Sequence, residues 1–257
     1  MKKKEKCFIL CRTKCWTFIM VILFFVMAGN ADVPTAKAAI TEASRTGQFL
    51  FLTFYSTQDA AFTSMSTIIT DFRKSTSQKT ATYNVNMGDP NEKEIVDLYK
   101  VWRARLPLLL VIAPNGAVTG GFQMKATNDQ LKQSLEISEL NLKIVKQLQE
   151  GKVVLVSLQN DTTKFNTESA KAIDEFTSDA QFKQYSGSVL ADPSAKDSQE
   201  FLKQIGQTEA ITEATVVILI PPNSIANILK GNITKADISK SLQSCTPGSA
   251  CCPAKKS

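Results

Sequence analysis

The chain repeats itself, and that constrains it more than any other feature. Gly47 opens the run GQFLFLTFYSTQD, and Gly151 opens GKVVLVSLQNDTT 104 positions later. The Asp89-Pro90 pair that ends VNMGDP has its counterpart 103 positions on, at Asp192-Pro193 in VLADP. The run LLLVIAPNG from Leu108 is matched by VVILIPPNS from Val216, an offset of 108. Three paired landmarks in one order predict two copies of one fold, each of about 100 residues. A chain of 257 residues has room for two such units, each able to bury its own core.

Periodicity supplies the elements. In the first copy, the pattern predicts helices over 36–45, 60–74, 91–102 and 128–149, and strands over 49–55, 80–86, 108–113 and 117–122. The last two strands form a hairpin around Pro114-Asn115-Gly116. The apolar stripe of the second helix is Phe62, Met65, Ile68, Ile69 and Phe72; Ile95, Leu98, Tyr99 and Trp102 form that of the third. Phe62 and Trp102 are expected in the core. The second copy predicts strands over 153–158, 188–191, 215–220 and 225–229, with helices over 167–184, 194–205 and 235–242. Alternating strands and helices ending in a hairpin give an α/β fold in which a mixed sheet is flanked by helices.

The two ends of the chain carry a different message. Residues 1–31 hold six Lys/Arg and one acid, so the remainder keeps 24 bases against 23 acids, a net +1 out of the formal +6. That balance leaves no basic field for nucleic acid. A basic start, an apolar run of 13 residues over 16–28 and small residues up to Ala31 describe a secretory signal peptide. The uncharged stretch 15–31 has 17 residues, the lower edge of a span, so an uncleaved anchor in the membrane is the alternative. Either reading puts Asp32 onward outside the cytoplasm, in a periplasmic or extracellular space. Cys7, Cys11 and Cys15 would share a helix face: a metal or acylation site beside the membrane, or residues discarded with the signal.

With no histidine, the chain has no Ser-His-Asp or Cys-His catalysis and no imidazole metal ligand. No glycine loop for phosphate occurs, and Gly120-Gly121 reads as backbone geometry. Asn160-Asp-Thr162 and Asn232-Ile-Thr234 are glycosylation sequons, meaningful only in a eukaryotic secretory pathway.

After the last helix, residues 244–257 have the composition of a flexible tail. They hold Cys245, Cys251 and Cys252, with no other cysteine back to residue 16. Three readings stand side by side. Cys245 pairs with Cys251 or Cys252, and the odd thiol links two chains into a disulfide-bonded homodimer. Or the three thiolates hold a soft metal such as Cu or Zn, a closed tetrahedral site then needing an outside ligand. Or the tail exchanges disulfides with a partner.

The first copy resembles the thioredoxin fold. The resemblance is carried by Phe54-Tyr55 at the end of a buried strand, by VNMGD from Val85, and above all by Leu106-Pro107 followed by LLLVIAPNG and AVTGGF. It covers 34–147, and 150–243 more weakly. It implies that the chain comprises two tandem thioredoxin-like domains, over 32–149 and 150–243. It also implies that the peptide bond before Pro107 is cis and lies against the active site. The family's disulfide exchange uses Cys-x-x-Cys at a helix start, where the helix N-terminus acidifies the first thiol. Here those positions are Asp59 and Phe62, and in the second copy about Thr163 and Asn166, with Ala214 or Thr215 at the proline position. All six cysteines lie outside both units.

Asp59 then reads as a helix N-cap or as a binding carboxylate. Arg103 and Arg105 flank the loop before Pro107, where the family contacts substrates, and read as peptide ligands or as solvated surface. The expectation is a redox-inactive, exported protein with no required cofactor, more a binder than an enzyme. It would hold a polypeptide or partner protein in the cell envelope through Asp59, Arg103, Arg105 and Pro107. The enzyme alternative works through the tail.

Overall fold

The computed structural model describes residues 35–243. They form two sheets of one design. In the first, β1 (Phe49–Tyr55) lies between β2 (Thr80–Asn86), which is parallel to it, and β3 (Leu108–Ile112), which is antiparallel. β4 (Val118–Gln123) closes the order β2-β1-β3-β4 as a hairpin with β3. The second sheet repeats this as β6-β5-β7-β8, with β5 (Val153–Leu158), β6 (Ser186–Ala191), β7 (Thr215–Ile220) and β8 (Ser224–Lys230).

β1 reads as an unbroken apolar run because both its faces are covered. Leu50, Leu52 and Phe54 pack under α1 (Ala36–Arg45) and α3 (Lys93–Leu98). Phe49 and Phe51 face α2 (Ala60–Ser75) and α4 (Asn128–Leu135). The stripe of α2 falls as its spacing predicts: Phe62, Met65, Ile69 and Phe72 are buried, and Phe72 meets Phe51 edge-on at 6.1 Å. In the second unit, α6 (Asn166–Ser178) and α8 (Lys235–Gln243) cover one face and α7 (Lys196–Gln204) part of the other. This is the thioredoxin-like arrangement, twice over: the sheet order, the helix placement and the cis Leu106–Pro107 bond all match.

In the second unit the helix expected over 167–184 stops at Ser178, where Asp179 turns extended, and in the first unit two helices depart from the periodic pattern. The expected helix over 128–149 is broken, and its second part is α5 (Glu139–Gln149). Ser138, in an extended conformation, accepts from Asn141 N at 3.2 Å and so starts a new N-terminus. One face of α5 (Leu140, Ile144, Leu148) enters the core of the second sheet, ahead of the seam expected after residue 149. Its other face, Leu142 and Val145, packs on the first. At the edge strand β4, Val118 N donates to Gln149 Oε1 at 2.9 Å and Gln149 Nε2 donates to Val118 O at 2.7 Å. One side-chain amide thus occupies both backbone polar groups of a half-buried residue on the edge strand.

The other departure is the expected helix over 91–102. It is a 3-10 turn (Pro90–Glu92), the short α3, and a second turn (Val101–Arg103) beyond a left-handed Lys100 (φ 52°). The break carries Val101 into the core and leaves Leu98 64% and Trp102 56% exposed. The expectation of a core Trp102 is therefore overturned.

Glu92, which the periodic reading did not single out, is only 3% exposed. Its carboxylate accepts from Ala36 N, the first residue of α1, at 3.0 and 3.1 Å, and from the Tyr83 hydroxyl at 2.7 Å. Burial and this neighbouring carboxylate push the Tyr83 hydroxyl up to about 12.

Gly120 is required by close approach. A Cβ there would collide with Ser134 Oγ and stand 2.8 Å from Phe122 Cε2. Gly120→Ala is expected to destabilise by about 2 kcal/mol through overpacking, measured by urea denaturation. Gly187→Ala meets only the end of the Gln147 side chain, which can swing away, and is expected to cost under about 1 kcal/mol.

Candidate functional site

The Cα pairing of Phe54 with Leu108 brings the end of β1 and the start of β3 to one end of the first sheet. The loop leading to α2 and the loop ending in Pro107 therefore meet there. Asp59 sits at the N-cap of α2, and its Oδ1 accepts from Phe62 N at 2.9 Å. The capping reading is thus the one the geometry bears out. Phe62 is buried as expected, its ring 4.5 Å from that of Tyr55.

Pro107 is itself buried, and its carbonyl accepts from Met124 N at 2.7 Å. Met124 adopts a left-handed φ of 65° as the chain leaves β4 and is 46% exposed. Arg105 N donates to Gln123 Oε1 at 3.2 Å, which ties the proline loop to β4 while the Arg105 side chain stays in solvent. The Arg103 guanidinium lies over the Trp102 ring, 4.3 Å from its centroid. Arg103, Arg105 and Pro107 thus share one loop, and Asp59 stands at the same end of the sheet. The aromatic and thioether side chains beside this loop, Trp102 and Met124, were missed. The left-handed Lys100 hides Trp102 from a helical count. Met124 sits beyond the last paired residue of its hairpin.

The corresponding end of the second sheet is closed. The loop after β5 is zipped to the segment before β7: Lys164 N donates to Thr212 O at 3.0 Å and Ala214 N to Lys164 O at 2.8 Å. Thr163 is buried at 8% exposure, and Ala214 and Thr215 are buried at the proline position. Asn160 Nδ2 donates to Asp192 Oδ1 at 2.8 Å, and Asn166 Nδ2 to Asn160 O at 2.7 Å. Hydrogen bonds from Ser194, then from Asn160, hold the Asp192 carboxyl below the usual carboxylate range. The Asn160 amide is thus already engaged, whereas Asn232 of the second sequon is exposed.

Among the described residues, no three His, Cys, Asp or Glu side chains converge to hold a metal, and no helix is long and apolar enough to cross a membrane. Cys245, Cys251, Cys252, the three N-terminal cysteines and the signal or anchor segment lie outside the described residues.

No family model matches the chain. No curated protein matches it either. Among solved structures it is similar to the first two thioredoxin domains of Saccharomyces cerevisiae Eps1p, at 13% identity and a TM-score of 0.30, over 82% of this chain and 98% of that one. The zinc-bound form of human ERp44 matches at 10% identity and a TM-score of 0.35, over 86% of this chain and 62% of that one. The NTD_N/C domain of the alkylhydroperoxide reductase AhpF from Enterococcus faecalis matches at 16% identity and a TM-score of 0.29, over 80% and 98%. The fold is read from the sheet order and helix placement, not from these scores.

Proposed function

We propose that the chain is an exported, non-catalytic thioredoxin-like protein of the cell envelope that binds a polypeptide through the surface around Pro107. The observation that supports this best is at Asp59. A carboxylate stands where the family's reactive thiol would, and its oxygen is committed to capping α2. No thiol is present at these positions to attack a disulfide, while the side chains of Trp102, Arg103, Arg105 and Met124 remain exposed to touch an extended chain. The test uses an array of 12-residue peptides probed with the full chain. Selective binding is expected, falling about fivefold or more on Met124→Ser or Trp102→Ser, each a loss of apolar contact. Binding that neither substitution alters would overturn the reading.

The tail adds a second element to the proposal. Three cysteines within eight residues favour a covalent link, Cys245 pairing with Cys251 or Cys252 and the third joining two chains. A native mass spectrum without reductant or chelator separates this from soft-metal binding. The link predicts a doubled mass that collapses with reductant; a metal adduct lost on deleting residues 244–257 would replace it.

A further inference from the structure

We propose that the surface around Pro107 selects acidic polypeptide segments carrying aliphatic or aromatic anchors; this rests on the polypeptide-binding reading above and names its ligand class. The large exposed hydrophobics of the first unit are Leu98, Trp102 and Met124. All three lie on the two segments that bracket Pro107, residues 98–105 and 123–125. The same segments carry Lys100, Arg103, Arg105 and Lys125, all exposed. None of the ion pairs among the described residues reaches these four, although most other basic side chains of the first unit are paired. Asp97, three residues before Lys100, binds Lys93, and Asp59 caps α2.

Arg103, Arg105 and Lys125 without ion-pair partners, on the same segments as Trp102 and Met124 and with Lys100 and Leu98 further along, are complementary to a chain of alternating acidic and apolar residues. Arginine suits carboxylates because its planar fork donates two parallel hydrogen bonds. The ring of Trp102, already stacked by Arg103, offers a large apolar contact at low entropic cost. Leu98 and Lys100 also border a groove of about 590 Å³ that leads away from Pro107 toward Gly116 and Val118; Tyr99 and Leu110 line it, as does Glu150, which is paired with Lys146 and Lys152, and its apolar part can take an anchor. Single-stranded nucleic acid fits less well. Beyond residue 31 the net charge is +1, and a base-stacking platform needs several aromatics where this surface presents one.

The test uses the full chain and two fluorescein-labelled 12-residue peptides, followed by anisotropy. One alternates Asp or Glu with Leu; the other replaces the acids by Asn and Gln. The acidic peptide is expected to bind about tenfold or more tightly, and 0.5 M salt to remove most of the difference, as screening demands. Arg103→Glu with Arg105→Glu is expected to weaken the acidic peptide about tenfold or more. Lys79→Glu with Lys183→Glu makes the same charge change at the far ends of the two sheets and is expected to shift it less than about twofold. Equal binding of the two peptides overturns the inference and leaves the polypeptide reading intact. Equal losses in the two charge-reversed variants overturn it, as does tighter binding of a 12-residue oligothymidylate. Binding of neither peptide overturns it too, and the peptide array then decides the broader reading.

Discussion

Asp59→Cys combined with Phe62→Cys is expected to bring disulfide exchange to a place that holds no cysteine. The first introduced thiol would sit at the N-cap of α2, where the backbone donors now serve the Asp59 carboxylate. Helix N-termini stabilise a thiolate, so alkylation of that thiol should show a midpoint below about 8, against roughly 8.5 for a free cysteine. The thiolate would attack a substrate disulfide, and the second introduced thiol would resolve the mixed disulfide. Added dithiothreitol would reduce the resulting pair and regenerate the dithiol. Insulin reduction should rise about tenfold or more above the unsubstituted chain, which already contains the tail cysteines. Asp59→Ser with Phe62→Ser keeps a capping oxygen and serves as the control, expected to stay at background. Failure of the cysteine pair in a folded protein would mean that the site lacks more than sulfur.

Glu92→Ala is expected to lower stability by about 3 kcal/mol, among the largest effects of any single polar residue here. The loss leaves the fully buried Ala36 N–H without an acceptor and the Tyr83 hydroxyl without its carboxylate partner. Tyr83→Phe removes the hydroxyl's bond to Glu92 but leaves the Ala36 N–H its acceptor and should cost about 1 kcal/mol, so urea denaturation separates the two. Alkaline pH gives an independent signature. In the unfolded chain a tyrosine ionises near pH 10, about two units below the value of about 12 for Tyr83 in the fold. Between those values the unfolded state has lost a proton that the folded state keeps. Stability should therefore be full below pH 10 and fall as pH rises toward 12, and Tyr83→Phe should abolish that part of the fall.

The strands buried on both faces were the most legible part of the fold. β1, β5 and β7 carry the bounds that their residue runs predict, and so do the edge strand β2 and the alanine-rich α1. Burial on both faces leaves a continuous apolar run, which one chain displays openly. The misread places turn on single backbone angles or on long-range contacts. Lys100 enters the left-handed region without a glycine to announce it, and so Leu98 and Trp102 were placed in a core they do not enter. Ser138 interrupts a stretch whose leucines keep nearly helical spacing on both sides. Glu92 has no local mark at all, because its partners lie nine and 56 positions away. At the candidate site, Asp59 as a cap was readable from residue type and position. The cis bond before Pro107 followed from the family resemblance and is present. The apolar surface beside it became visible only once the turn at Lys100 was in place.

Helix α5 carries two apolar rows beside its charged one, since Leu140, Ile144 and Leu148 serve one sheet while Leu142 and Val145 serve the other. Shared ownership of this kind couples the two sheets in melting. Withdrawing α5 from either one uncovers apolar surface on both and frees the backbone of Val118 at a strand edge. The pair is therefore expected to melt as a single cooperative block rather than as two beads on a string, in one calorimetric transition, because neither sheet can shed α5 alone.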